Sequence, residues 1–185
     1  MFQYVICVSC LPGSERLICN SIRENLGLPA LYPTWTRELW KENRFVPHTQ
    51  PVLSGYIFVY TDNFNCIGKL KRMDKVYRVL QYGDGTYDLY GEDRAFAQWV
   101  FEQNGQIGLS RAMMTGDEMV IIDGPMKDYE GKIKRIDKHN RYAQIEITLD
   151  GITRTICLGF QWMTYKDGVM VRWDKQNKGV ENHIN

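Results

Sequence analysis

The chain has 185 residues, enough for one or two domains with a real core. Its 23 lysines and arginines nearly balance 22 acidic residues, leaving a net charge of +1, so any nucleic-acid surface must be local rather than spread over the whole chain. No apolar run approaches the roughly 20 residues of a membrane span, and the opening Met1-Phe2-Gln3-Tyr4-Val5 lacks the basic segment of a secretion signal; a cytoplasmic protein with no membrane partner is expected.

Five cysteines, an odd number, argue against a disulfide framework. Cys7 and Cys10 have metal-ligand spacing, but there is no second pair and His48, His139 and His183 are scattered. The simpler reading puts Cys7 in a strand and Cys10 in the loop after it, with no metal or other cofactor. Tyr4 to Val8 is a β-branched first strand, broken by Pro12-Gly13. Ser14 can then cap a helix whose face is Ile18, Ile22 and Leu26 and which stops at Gly27. Leu31 to Leu39 is extended and rich in Tyr and Trp. Pro51 to Tyr60 is the strongest strand signal. Asp62 or Asn63 can cap a second helix with the face Phe64, Ile67 and Leu70. Val76 to Gln81 is a further strand with the turn Gly83-Asp84-Gly85 behind it. Gly91-Glu92-Asp93 opens a third helix, which turns Phe96, Trp99 and Val100 inward and ends at Asn104-Gly105. This order predicts a split βαβ plan with one sheet face covered by helices.

Asn104 to Ser110 has no core periodicity and reads as a linker. Only short strands follow: Glu118 to Ile122, with Val120 and Ile122 inward, then Gly131 to Ile136, Ala143 to Leu149 and Ile152 to Cys157. Ala143, Ile145, Ile147 and Leu149 share one face, and Asp150-Gly151 is a hairpin turn requiring positive φ. Several short strands in so short a span predict a small closed β-barrel. The polar tail carries one apolar patch, Val169 to Trp173, and is left unassigned.

Two motifs carry a family resemblance. Gly116-Asp117-Glu118-Met119-Val120-Ile121-Ile122-Asp123-Gly124-Pro125 with Tyr129-Glu130-Gly131-Lys132-Ile133 resembles the KOW motif, in which Gly131 is expected to let the returning strand pass close to its neighbour. Pro51-Val52-Leu53-Ser54-Gly55-Tyr56-Ile57-Phe58-Val59 resembles the family strand PLFPGYLFV of the NGN domain, with Ser54 where proline is common, and Pro12-Gly13-Ser14-Glu15 resembles that domain's first helix start. In this order the two resemble a NusG-family transcription factor from end to end. The resemblance implies an α+β chain. Residues 1–105 would form an NGN domain, an antiparallel sheet with helices on the split βαβ plan. Residues 106–112 would be a linker, 113–163 an SH3-like β-barrel KOW domain and 164–185 the unassigned tail. It further implies a monomeric, non-enzymatic factor that docks an apolar depression on the clamp helices of the largest RNA polymerase subunit and suppresses pausing and termination. The positions matching that depression are Cys7, Leu53, Tyr56, Phe58 and Tyr82. No Walker-type loop, HExxH or GxSxG is present to suggest chemistry.

Arg37, Lys41 and Arg44 fall where the family has a hairpin near upstream DNA. Lys132, Lys134, Arg135, Lys138, His139 and Arg141 form a basic run broken by a single acid, Asp137. Lys132 and Lys134 are expected on one strand face opposite Ile133, with a bulge near Arg135 and Lys138 to Arg141 in the turn. Housekeeping NusG proteins usually carry acids there, and an apolar residue where this chain has Asp150. Both departures argue against the ribosome and Rho as partners. They resemble the specialised antiterminators of the LoaP and RfaH type, with nascent hairpin RNA as the partner of the basic run. Two other readings stay open: a general NusG factor coupling polymerase to ribosome or Rho, and a KOW-type RNA-structural or ribosome-assembly protein. A merely solvated basic hairpin is the simplest alternative for the charges themselves.

Overall fold

A computed structural model describes residues 2–173; His183 and the rest of the tail from 174 lie outside the described residues. The chain is α+β. In order, its elements are β1 (Tyr4–Cys10), α1 (Glu15–Leu26), β2 (Ala30–Leu31), β3 (Thr34–Lys41), β4 (Arg44–Pro51), β5 (Tyr56–Thr61), α2 (Ile67–Leu70), β6 (Val76–Val79) and α3 (Gly91–Glu102). There follow β7 (Gln106–Ile107), β8 (Ser110–Thr115), β9 (Glu118–Asp123), a 3-10 helix (Pro125–Lys132), β10 (Ile133–Asp137), β11 (Tyr142–Leu149), β12 (Ile152–Lys166) and β13 (Val169–Arg172). They form two compact units. The first takes the described residues up to Thr34, Pro51–Ile107 and Ile147–Arg154; the second takes Trp35–Gln50, Gly108–Glu146 and the described residues from Thr155 on.

In the first unit an antiparallel sheet has the order β2-β5-β1-β6. Strand alternation divides its side chains between two faces. Ile6, Val8 and Cys10 of β1, with Ile57 and Val59 of β5, pack with Ile18, Cys19 and Ile22 of α1 and with Ile67 and Leu70 of α2. The other face is covered as well: Phe58 meets Phe96 of α3 at 5.8 Å, Tyr60 meets Phe101 at 4.6 Å, and the Tyr60 hydroxyl donates to the Ala97 carbonyl at 2.7 Å. Helices therefore lie on both faces, where the sequence predicts one. The reason is the unbroken apolar run of β5, which has no polar side to leave in water. Cys10 completes β1 rather than entering a loop, because its N–H donates to the Gly55 carbonyl at 2.8 Å.

Helix α1 begins after Ser14 and ends at Gly27 in the left-handed region, φ 65°, which glycine adopts without a Cβ penalty. Its first residue is a buried acid. Glu15 accepts the Gly55 N–H at 2.6 Å and the Ser54 hydroxyl at 3.4 Å, which ties the turn before β5 to the helix start. Ser54, which stands where the family commonly has proline, thus helps to tether this turn. Glu15→Ala should destabilise the chain by about 1–3 kcal/mol, since it strands a buried donor. Urea denaturation checks this, with Glu15→Gln expected to recover part of the loss and an unchanged midpoint counting against the tether.

Other expectations shift locally. The strand expected over Pro51 to Tyr60 is shortened to β5, with Val52 to Gly55 forming the turn between β4 and β5, and β3 and β4 form a hairpin whose turn, Glu42-Asn43, has φ 49° and 59°. Strand β4 holds Pro47 and Pro51 and lacks clean alternation, so the sequence hides it. Helix α2 is a single turn, leaving Phe64 outside it, packed on Tyr4 at 4.3 Å.

In the second unit the strand path is β10-β11-β12-β8-β9, with β13 on β12. Strand β8 runs parallel to β12, with Ser110 opposite Phe160, so the expected linker holds strands and its residues Ile107 and Ser110 are buried. The apolar patch of the tail forms β13. In β9 the buried residue is Ile121, opposite Ala112, while Val120 is 41% exposed; the expected face is reversed. Four apolar residues in succession, Met119 to Ile122, give no phase, and pairing to β8 decides it. The close approach expected of Gly131 belongs to Gly124, at φ 95°, where a Cβ would stand 2.6 Å from the Ser110 Cα; Gly131 has open space around it. Strand β11 alternates as expected, with Ala143, Ile145, Ile147 and Leu149 buried.

Candidate functional site

The first candidate is the face of the first unit's sheet that carries α3. In β1 and β5, Cys7 stands opposite Phe58 and Ser9 opposite Tyr56. Cys7 and Phe58 are fully buried, so they shape this face from beneath. Leu53 is buried in the turn before β5, and Tyr56 and Tyr82 are half-buried. The tip of the β11–β12 hairpin, Ile147–Arg154, belongs to this unit. Arg154 donates to the Tyr56 hydroxyl at 2.7 Å, and its guanidinium lies 4.7 Å from the ring centroid. Asp150 pairs with Arg78, and its N–H donates to Asp93 at 2.9 Å. Asp93 also accepts the Tyr82 hydroxyl at 2.6 Å, and the Tyr82 ring lies 4.2 Å from that of Tyr90. The tip thus engages Tyr56 directly and Tyr82 through Asp93.

Ionisation follows from this packing. Burial, reinforced by Asp93 and Asp150, pushes the Cys7 thiol far above its ordinary range. Burial and Glu15 push Cys10 up to about 11. Neither is a ready thiolate at neutral pH, and alternation sends them to opposite sheet faces. Among the described residues no group of three or more His, Cys, Asp or Glu side chains could hold a metal ion. Burial, and then the bond to Asp93, raise the Tyr82 phenol, so it is a donor throughout the neutral range.

The second candidate is the basic surface of the second unit. Lys134 pairs with Glu146 at 3.1 Å. Arg135 is exposed at the bulge between Ile133 and Arg135, where the sequence places an irregularity. Lys132 ends the 3-10 helix instead of sharing a strand face with Lys134, because that helix delays the start of β10. Arg141 departs most from expectation. It is 3% exposed and donates to Glu38 at 3.0 Å, with its guanidinium 3.6 Å from the Phe45 ring centroid. It is a structural cation rather than a surface one. Arg37 lies half-buried, 6.0 Å from the Tyr142 ring centroid, and Arg44 is exposed at the start of β4. Lys41 joins Lys138, His139 and Arg141 around one cavity, so residues expected to serve two separate nucleic-acid surfaces meet in one place. Arg78, Asp93 and Arg154 around the first face, and Glu38 and Phe45 beneath the second, carry no local signal that distinguishes them in the sequence.

No protein-family profile matches the chain, and no curated protein sequence matches it. Among solved structures, a structure of NusG from Thermotoga maritima, described as showing its domain interaction, aligns with a TM-score of 0.51 at 18% identity, over 84% of this chain and 93% of that one. An Spt4:Spt5 complex aligns with a TM-score of 0.30 at 16% identity, over 92% of this chain and 99% of that one. The chain shares the α+β fold of the Thermotoga NusG structure. No helix among its described residues is long and apolar enough to cross a membrane.

Proposed function

We propose that this chain is a NusG-type transcription elongation factor that binds RNA polymerase through the first unit and suppresses pausing and termination, acting by contact and without catalysis. Its second unit contacts structured RNA through the exposed cations Lys132, Lys134, Arg135, Lys138 and His139, and Arg37, Lys41 and Arg44 contribute near DNA. The observation that carries the reading is the α3-bearing sheet face, which holds half-buried Tyr56 two positions along β5 from buried Phe58, with Tyr82 bonded to Asp93 of α3, in a fold shared with a NusG structure. Half-buried aromatics on a firm sheet suit helix docking, since a rigid ring offers large contact area at small entropic cost. The clamp helices of the largest polymerase subunit are the partner that the NGN resemblance implies.

The test is binding to purified core polymerase, paired with elongation on a template that holds a pause and an intrinsic terminator. The wild-type chain should bind, shorten the pause and raise read-through. Tyr56→Ala with Tyr82→Ala should weaken binding at least tenfold, the loss of about 2 kcal/mol typical of an aromatic anchor. Circular dichroism must show the variant folded. Equal affinity of the folded variant would remove the assigned face, and a wild-type chain without effect on elongation at saturation would leave the RNA-structural reading.

A further inference from the structure

We propose that the cavity of the second unit binds one unpaired nucleotide, with the base held between aromatic walls and its phosphates at a cationic rim. The proposal rests on the reading that this unit contacts nucleic acid, and it deepens that reading by naming what the contact recognises.

The cavity encloses about 560 Å³, within the range of small-ligand sites. Its half-buried aromatic walls are Trp40, Phe45 and Trp173, drawn from β3, β4 and the residue after β13, with Trp162 of β12 buried behind them. They are firmly set. Trp40 packs on Phe45 at 4.6 Å, the Trp162 indole donates to the Lys138 carbonyl at 3.4 Å, and the Trp173 N–H donates to the Trp162 carbonyl at 2.9 Å. The charge beneath is also organised. Glu38 is buried and accepts from Arg141 at 3.0 Å and from Arg172 at 2.6 Å, so one acid meets two guanidinium groups and the floor stays net positive. Both guanidiniums lie near the Phe45 ring, at 3.6 Å and 5.1 Å from its centroid. The exposed Lys41, Lys138 and His139 line the same cavity.

Flat apolar walls inside a cationic rim match a base joined to phosphates. Stacking on aromatic rings tolerates any base, and the lysines supply the salt-dependent part. A base pair within a stem cannot enter a walled cavity, so the ligand must be unstacked, as in a hairpin loop, a bulge or a single strand. The sequence alone favours a duplex stem because no aromatic lies within the basic run except Tyr142. The tryptophans come from elsewhere in the chain, and folding brings them to Lys138 and His139.

The experiment titrates the full chain with fluorophore-labelled hairpin RNA at low salt, following anisotropy and tryptophan emission. One stem is used with a normal loop, with an abasic loop and as a blunt duplex, and a DNA hairpin of the same sequence is run in parallel. The normal loop should bind about tenfold tighter than the abasic loop or the duplex, and should quench tryptophan emission. Trp40→Leu should erase that preference and leave the residual salt-dependent affinity, while Trp40→Phe should keep most of it. A preference for the RNA hairpin over the DNA one assigns the nucleotide to RNA, and equal binding assigns it to either strand type. If the wild-type chain binds normal loop, abasic loop and duplex equally, the cavity proposal is overturned and the cationic surface stands alone. If it binds none of them, the nucleic-acid reading falls with it.

Discussion

Asp150→Asn combined with Arg154→Ala should raise the affinity of the chain for RNA polymerase about tenfold. The hairpin tip sits on the proposed docking face through Asp150–Arg78, the Asp150 N–H on Asp93 and Arg154 on Tyr56. A partner that needs Tyr56 and Tyr82 must displace the tip, and its apparent affinity falls by the fraction of molecules in which the face is open. Asparagine is chosen at 150 because the residue has φ 59°, which asparagine tolerates, so the turn survives the loss of charge. Removing one exposed ion pair and one cation–π contact takes away on the order of 1–2 kcal/mol from the closed state, which is about tenfold in population. Hydrogen exchange over residues 147–154 should quicken in the same variant. Adding Tyr56→Ala to it should cancel the gain. Faster exchange with unchanged polymerase affinity would mean that the tip and the partner do not compete.

Arg141→Met should destabilise the second unit by about 3–5 kcal/mol, because Glu38 remains buried after losing one of its two cations. That is a large share of the 5–15 kcal/mol that holds an ordinary domain together. Arg172 cannot fully compensate, since its side chain is 41% exposed and spends part of its interaction on water. Adding Glu38→Leu to Arg141→Met should recover much of the loss, and the difference between single and double variants measures the coupling. Urea denaturation of the four proteins gives the cycle. A loss below about 1 kcal/mol in Arg141→Met would show that the remaining partners of Glu38 suffice.

How far the sequence reaches can be seen in particular residues. Gly27, Asn104-Gly105 and Asp150-Gly151 mark the ends and turns that the structure shows, because positive φ is decided within a residue or two and few side chains allow it. The phase of β11 is equally plain, since its apolar residues alternate with polar ones and only one face can be buried. The bulge beside Arg135 follows from the break in that alternation. Where the pattern is uniform, the sequence is silent: Met119 to Ile122 could bury either face, and only pairing to β8 selects Ile121.

The candidate sites divide in the same way. The NGN-like strand and the basic run could be found in the sequence because each is a contiguous segment. The partners that give them their properties are remote: Arg141 meets Glu38 across 103 positions, Arg154 meets Tyr56 across 98, and Arg78 meets Asp150 across 72. Charge alone made Arg141 a surface contact; burial against Phe45 and Glu38 makes it part of the core. Local conformational preference is set by a residue and its immediate neighbours, so the chain determines by itself its helix ends, its turns and the phase of a strand that alternates cleanly, such as β11. Which charges are buried, which aromatics wall the cavity and what covers Tyr56 depend on segments that meet only when the cores close, because an ion pair or ring contact has no energy until both groups are brought within a few ångströms.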